Sequence, residues 1–190
     1  MTNILLQSLD KYYNNGKNME QFNDYVNGDK KISLRIIDWF VTNYSKKYNV
    51  FYEVYKTPSG ELTFEEDGNE LVNQINIFHA YKSQLKSYSK KKFDPFCRRD
   101  RLKFECNNLT IETTLGQLNF FKWAINHLII DYISIHKEKI EYDMNSCLKE
   151  MKLQGSLMKK QGKRKKRQEL SLSATRGLSR NNIHVRLNFD

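Results

Sequence analysis

The residues best suited to chemistry in this chain are cations. Lys163, Arg164, Lys165, Lys166 and Arg167 occupy five consecutive positions, with Lys159 and Lys160 before them and Arg176 and Arg180 after. Their core, "GKRKKRQ", has no apolar side chain to bury, so folding gives it little reason to order by itself. Its charges stay hydrated until an anion arrives. Each phosphate neutralised on a duplex releases condensed counterions, so affinity for DNA or RNA falls with salt at a log–log slope of about −0.9 per neutralised phosphate. Such a run also resembles a nuclear-localisation signal, can hold anionic lipid, or can act only as a solubilising tail.

A second concentration lies within "YKSQLKSYSKKKFDPFCRRDRLK", Tyr81 to Lys103, where nine basic residues stand against Asp94 and Asp100. Lys82, Lys86 and Lys90 recur at four-residue steps and are expected on one helix face. With Lys91, Lys92, Arg98, Arg99 and Arg101 they form a candidate ordered phosphate-binding surface. Tyr81, Tyr88, Phe93 and Phe96 are interleaved with them. Cations beside aromatic rings are the pairing that single-strand and RNA binders use, the rings stacking bases. The competing expectation is that Phe93 and Phe96 anchor the loop in the core and the lysines form a solvated face.

Other chemistries find less support. Cys97, Cys106, Cys147, His79, His127, His136 and His184 lack the close-spaced pairs that bring two ligands to one zinc ion. There is no nucleophile elbow and no glycine-rich phosphate loop. Glu61, Glu65, Glu66, Asp67 and Glu70 cluster after a turn, where solvent exposure explains them as well as a metal-dependent nuclease would. A protein without cofactor, metal or catalysis is therefore expected. Three cysteines without a C-x-x-C pair fit a disulfide framework poorly and favour a reducing compartment. No apolar run approaches the length of a membrane span, and the N-terminus does not read as a secretory signal.

The elements that must position these residues read as an α+β protein. A chain of 190 residues, 39% hydrophobic, can bury one core, and its charge is unevenly spread. Residues 151–190 hold eleven Lys or Arg against two acids, a net of +9 out of +10, so residues 1–150 are nearly neutral. The expected divisions are short N-terminal helices over 1–32, a globular body over 33–155 and a basic tail over 156–190. In the body, Ser33 is placed to cap a helix carrying Leu34, Ile37, Val41, Tyr44 and Tyr48. Val50, Tyr52 and Val54, a Pro-Ser-Gly turn, then Leu62 and Phe64 predict one hairpin. "RLKFEC" and "LTIETT" around Asn107-Asn108 predict another, and the two hairpins are expected to form one small antiparallel sheet covered by helices. Between them Leu71, Ile75, Phe78, Tyr81, Leu85 and Tyr88 recur at helical steps. Thr113 or Thr114 can cap a helix carrying Leu118, Phe121, Ile125 and Ile129, and Ile140, Met144, Cys147 and Met151 mark one more. The ending "NNIHVRLNFD" alternates as a short strand that packs on its own sheet or pairs with another protein's edge.

At "SLRIIDWFVTNYSKK", "YKSQLKSYSKKKFDPFCRR", "TTLGQLNFFKWAI" and "SATRGLSRNNIHVRLNFD" the chain resembles short, basic, uncharacterised proteins of large double-stranded DNA viruses of eukaryotes, the giant viruses. The similarity spans roughly residues 33–135 and the last twenty, and carries no active-site motif. It implies a context in the host cytoplasm, in the viral factory, or in the nucleus, with packaging into the virion as a further option. The expectation is a non-enzymatic nucleic-acid-binding protein acting in genome handling or gene expression. The alternative is a structural virion protein, a minor capsid or core component, that meets other viral proteins, membrane or DNA through its tail and terminal strand.

Overall fold

Ser33 begins a helix because its side chain can satisfy one of the amides that a helix start leaves open. Its Oγ accepts from the Ile36 amide at 3.4 Å. In the computed structural model, which describes residues 2–14, 16–27, 32–106 and 109–160, this helix is α3 (Leu34–Trp39), preceded by α1 (Thr2–Tyr13) and α2 (Gly16–Val26). After α3 the chain widens into one π-helical turn, Phe40–Tyr44, before the short α4 (Ser45–Lys47). Two hydroxyls bond back to the backbone here, Thr42 Oγ1 to the Asp38 carbonyl at 2.6 Å and Ser45 Oγ to the Val41 carbonyl at 3.0 Å. Such back-bonding competes with the regular helical ladder. The widened turn shifts the buried face, so Ile36, Ile37, Phe40 and Val41 enter the core while Tyr48, expected on that face, is exposed.

The protein is α+β with small antiparallel sheets, but the expected single sheet of two hairpins is two separate sheets. The first has the order β2-β1-β3, from β1 (Phe51–Lys56), β2 (Leu62–Thr63) and β3 (Glu70–Asn76). β1 pairs with β3 from Phe51↔Asn76 to Lys56↔Glu70, interrupted by a bulge at Val54/Tyr55. The Pro-Ser-Gly turn forms, with Gly60 at φ 89°, a value other residues resist. Residues 70–76, read from their spacing as the start of a helix, are thus a strand. The helical spacing of Leu71 is coincidental, for Leu71 is 47% exposed. α5 (Ile77–Lys92) starts only where Asn76 Oδ1 accepts from the His79 amide at 3.1 Å.

The second sheet is the expected hairpin of β4 (Arg101–Cys106) and β5 (Leu109–Thr114), in register from Arg101↔Thr114 to Cys106↔Leu109. One face is buried through Phe104, Cys106 and Ile111, and Phe104 meets the Tyr13 ring of α1 edge-on at 5.8 Å. Thr114, rather than Thr113, caps α6 (Leu115–Asn126) by accepting from the Gln117 amide at 3.1 Å. α6 is buried almost all round, the pattern of a helix inside a core. Phe120, Phe121 and Trp123 radiate from it, meeting Phe22 and Tyr25 of α2 and Phe93 after α5. The predicted continuous helix breaks at Leu128, whose φ is 51°, and α7 (Ile129–Lys160) follows with a kink at His136.

The chain divides into two compact units, residues 1–146 and 147–190. The first contains the core just described, with α1 and α2 as part of it. In the second, the described residues are helical as far as Lys160, and Met151 and Leu153 are exposed, Met151 against the expectation of a continuous apolar face. The expected strand at the end of the chain lies outside the described residues. Among the described residues no helix is long and apolar enough to cross a membrane.

Candidate nucleic-acid interface

The cations of the second basic segment reach the surface from a loop that the core grips by its backbone. Asn119 Nδ2 donates to the Lys92 carbonyl at 2.9 Å, and Gln117 Nε2 donates to the Pro95 carbonyl at 3.0 Å. The Asp94 amide donates to the Gly116 carbonyl at 3.2 Å. Gln117 is itself oriented by Thr113, whose hydroxyl donates to Oε1 at 2.8 Å. These polar groups are buried, so leaving any unpaired would cost about 1–3 kcal/mol. Gly116 allows the approach: a Cβ there would stand 3.2 Å from the Lys91 carbonyl oxygen. The loop's third anchor is Phe93, 1% exposed between Tyr81, Phe120 and Trp123.

Lys86, Lys90, Lys91 and Arg99 are exposed and Lys92 half-buried, and none of the five forms an ion pair with a carboxylate among the described residues. Lys90 does act through space on Asp38, whose carboxyl is raised by burial against the opposing pull of Arg98 and Lys90. The expected single helix face of Lys82, Lys86 and Lys90 is interrupted: Ser89, at φ 59°, breaks helical geometry, so Lys90–Lys92 form a separate group. Arg98 and Arg101 are spoken for. Arg98 binds Asp94 through two hydrogen bonds, Nε to Oδ2 at 3.1 Å and a terminal nitrogen to Oδ1 at 2.8 Å, and lies over the Phe96 ring at 4.5 Å. Arg101 pairs with Glu112 across the β4–β5 ribbon. The rings that sequence spacing offered as stacking platforms are equally occupied: Tyr81 and Phe93 in the core, Tyr88 stacked on Phe93, Phe96 under Arg98. Lys159 and Lys160 are helical residues of α7, and Lys163, Arg164, Lys165, Lys166, Arg167, Arg176 and Arg180 lie outside the described residues.

A second constellation is formed by residues about a hundred positions apart. Asp143, on the inward side of α7 and 4% exposed, accepts three hydrogen bonds. Trp39 Nε1 donates to Oδ2 at 3.0 Å, while Lys47 Nζ at 2.5 Å and the Tyr48 hydroxyl at 3.2 Å share Oδ1. Burial pushes this carboxyl upward, but the three donors outweigh it and hold it below the ordinary Asp value. The same hydrogen bond raises the Lys47 ammonium. Around them opens a cleft of about 580 Å³ lined by Tyr44, Lys47, Tyr48, Lys139, Tyr142 and Asp143, together with Glu138 and Ser146. The available signal was an acidic residue inside an apolar stripe: Asp143 falls three places after Ile140 and beside Met144, both buried. Its partners, on α3, α4 and the residue after it, carry no local mark.

Comparison with known proteins bears out the resemblance to giant-virus proteins. No solved structure matches the chain. A curated relative, "Uncharacterized protein L507" of Acanthamoeba polyphaga mimivirus, is 40% identical over 133 residues, covering 67% of this chain and 47% of the relative. The chain thus spans about half the length of the curated relative it matches. The model of a family of unknown function, DUF7197, matches residues 1–160, every described element from α1 to the end of α7, and the chain belongs to that family.

Proposed function

We propose that this protein binds nucleic acid without catalysing a reaction on it. Two groups of cations would contact phosphate, the anchored group Lys86, Lys90–Lys92 and Arg99 and, separately, the basic stretch 159–180. The observation that supports it is the set of cations left without carboxylate partners among the described residues, on α5 and the loop after it, where Asn119 and Gln117 hold the backbone at Lys92 and Pro95. A rigidly held group of ammonium and guanidinium charges is what phosphate positioning requires, and it specifies no base by itself. Kinship with a mimivirus protein supports a setting in a large DNA virus; the role we propose within it is genome handling or gene expression, in the host cytoplasm or nucleus.

Fluorescence anisotropy with duplex DNA and RNA across a salt series tests the reading. Replacing Lys90, Lys91 and Lys92 together by Glu is expected to weaken binding and to flatten the salt slope by up to about 2.7 on duplex DNA, about 0.9 for each phosphate no longer neutralised. A folded triple variant that binds as the parent does, with the same slope, would remove the loop from the interface.

A further inference from the structure

Stacking rings are absent from the free surface of the basic loop, and the first compact unit offers them elsewhere. Tyr142 is 77% exposed and Tyr48 53%, and both line the cleft around Asp143. We infer that this cleft seats one or two unpaired bases of a single strand, an assignment that rests on the nucleic-acid reading and names its substrate class. Tyr48 is braced for the task. Its ring centroid lies 4.5 Å from that of Tyr44, which leans on Phe40 at 6.0 Å, and Lys47 Nζ stands 5.0 Å from the same Tyr48 centroid. The Tyr48 hydroxyl is held by Asp143, so Tyr48 is a fixed wall of the cleft and the exposed Tyr142 ring is the one left to stack on a base. A wall fixed before binding loses little freedom when a base settles against it. A volume of about 580 Å³ is within the range of small-ligand sites.

The charges agree with that occupant. Asp143 is neutralised by Lys47, so the buried carboxylate does not repel a phosphate. Lys46, beside Lys47 on α4, and Lys82 on α5 both approach the Phe78 ring, at 5.6 and 5.1 Å from its centroid. The two helices therefore bring their cations together, and Lys86 follows Lys82 one turn on. At the cleft itself the lining cations are Lys47 and Lys139. Glu138 is the second carboxylate of the lining, beside Lys139 in sequence. A duplex presents no free base face to Tyr48 or Tyr142, whereas a single strand does.

The test uses the full chain, a 5′-fluorescein oligothymidylate of about 12 nucleotides, a duplex of equal length and an abasic strand of equal length, the scale of known single-strand sites. Tyr142→Ser is expected to lower oligothymidylate affinity about 5- to 150-fold, the worth of one base stack, and to leave duplex and abasic affinities unchanged. Tyr142→Phe should restore the parent value. The same affinity for oligothymidylate in parent and Ser variant, an equal loss on duplex, or abasic binding as tight as oligothymidylate would each overturn the assignment. So would a self-association of the parent that Tyr142→Ser abolishes, since a second copy would then occupy the cleft. A parent that binds duplex normally while the Tyr142 variants change nothing refutes the cleft alone. A parent that binds no strand of any kind refutes the broader reading with it.

Discussion

Asp143 is a carboxylate on an inward helix face, and its three donors decide what its removal does. Asp143→Ala leaves the Trp39 indole N–H and the Tyr48 hydroxyl without their acceptor, and is expected to destabilise the fold by about 2 kcal/mol. Asp143→Asn keeps one acceptor oxygen but turns its amide NH2 toward a donor, either the Trp39 indole or the Lys47–Tyr48 pair, so a smaller loss than that of Ala is expected; urea unfolding midpoints measure both. The two Asp residues that burial perturbs respond oppositely to pH. The folded pKa of Asp143 is below the roughly 3.9 of an unfolded Asp, so protons favour the unfolded chain. Its contribution is full above that value and disappears as pH falls through the folded pKa. Asp38 is raised, so its contribution is full below the unfolded value and is lost as pH climbs through the folded one. Stability measured from pH 3 to 8 should therefore show Asp143→Asn closing on the parent at the acid end, and Asp38→Asn gaining on the parent toward neutrality.

At the scale of elements, the approach of α6 to the loop after α5 carries the sharpest prediction. Gly116→Ala would place a methyl group 3.2 Å from the Lys91 carbonyl and 3.4 Å from the Lys92 and Phe93 backbone. Alanine favours a helix by up to about 1 kcal/mol, but the loop it meets is tied by Gln117, Asn119 and Phe93 and cannot yield freely. A net loss of about 1 kcal/mol is expected, read from thermal or urea unfolding. Phe93→Ala should cost about 3–5 kcal/mol by the same assay, because the ring is a core anchor. What the sequence disclosed follows from range. The caps at Ser33 and Thr114 and the β4–β5 ribbon are local patterns, and all were legible. The β1–β3 pairing was not, since Glu70–Asn76 matches a helical period as well as a strand until its partner is known. The π turn at Phe40–Tyr44 and the kink at Ser89 re-aim side chains without altering the apolar count. Within the candidate interface, sequence separated cations from acids but could not see that Arg98 and Arg101 meet Asp94 and Glu112, nor that Asp143 and Trp39 meet across more than a hundred residues.

On the scale of the whole chain, the family match ends at residue 160, whereas most of the excess charge lies after residue 150. Removing residues 161–190 deletes eight basic and two acidic side chains. Under the proposed function this truncation should weaken binding to duplex and single strand alike and reduce the salt slope, because cations act on phosphate irrespective of base. The Tyr142 effect should survive in the shortened chain; anisotropy on both strand forms checks each part. The grip on the basic loop has a consequence for descent. The fold holds Lys92 and Pro95 by their carbonyls and Asp94 by its amide, so architecture is indifferent to which hydrophilic side chains stand at 90–92. Mutation can retune the charge there without disturbing the framework. Family members should therefore keep Gly116, Gln117 and Asn119 for the framework, whereas only binding constrains the charge at 90–92; an alignment in which those three are freely interchangeable would contradict this.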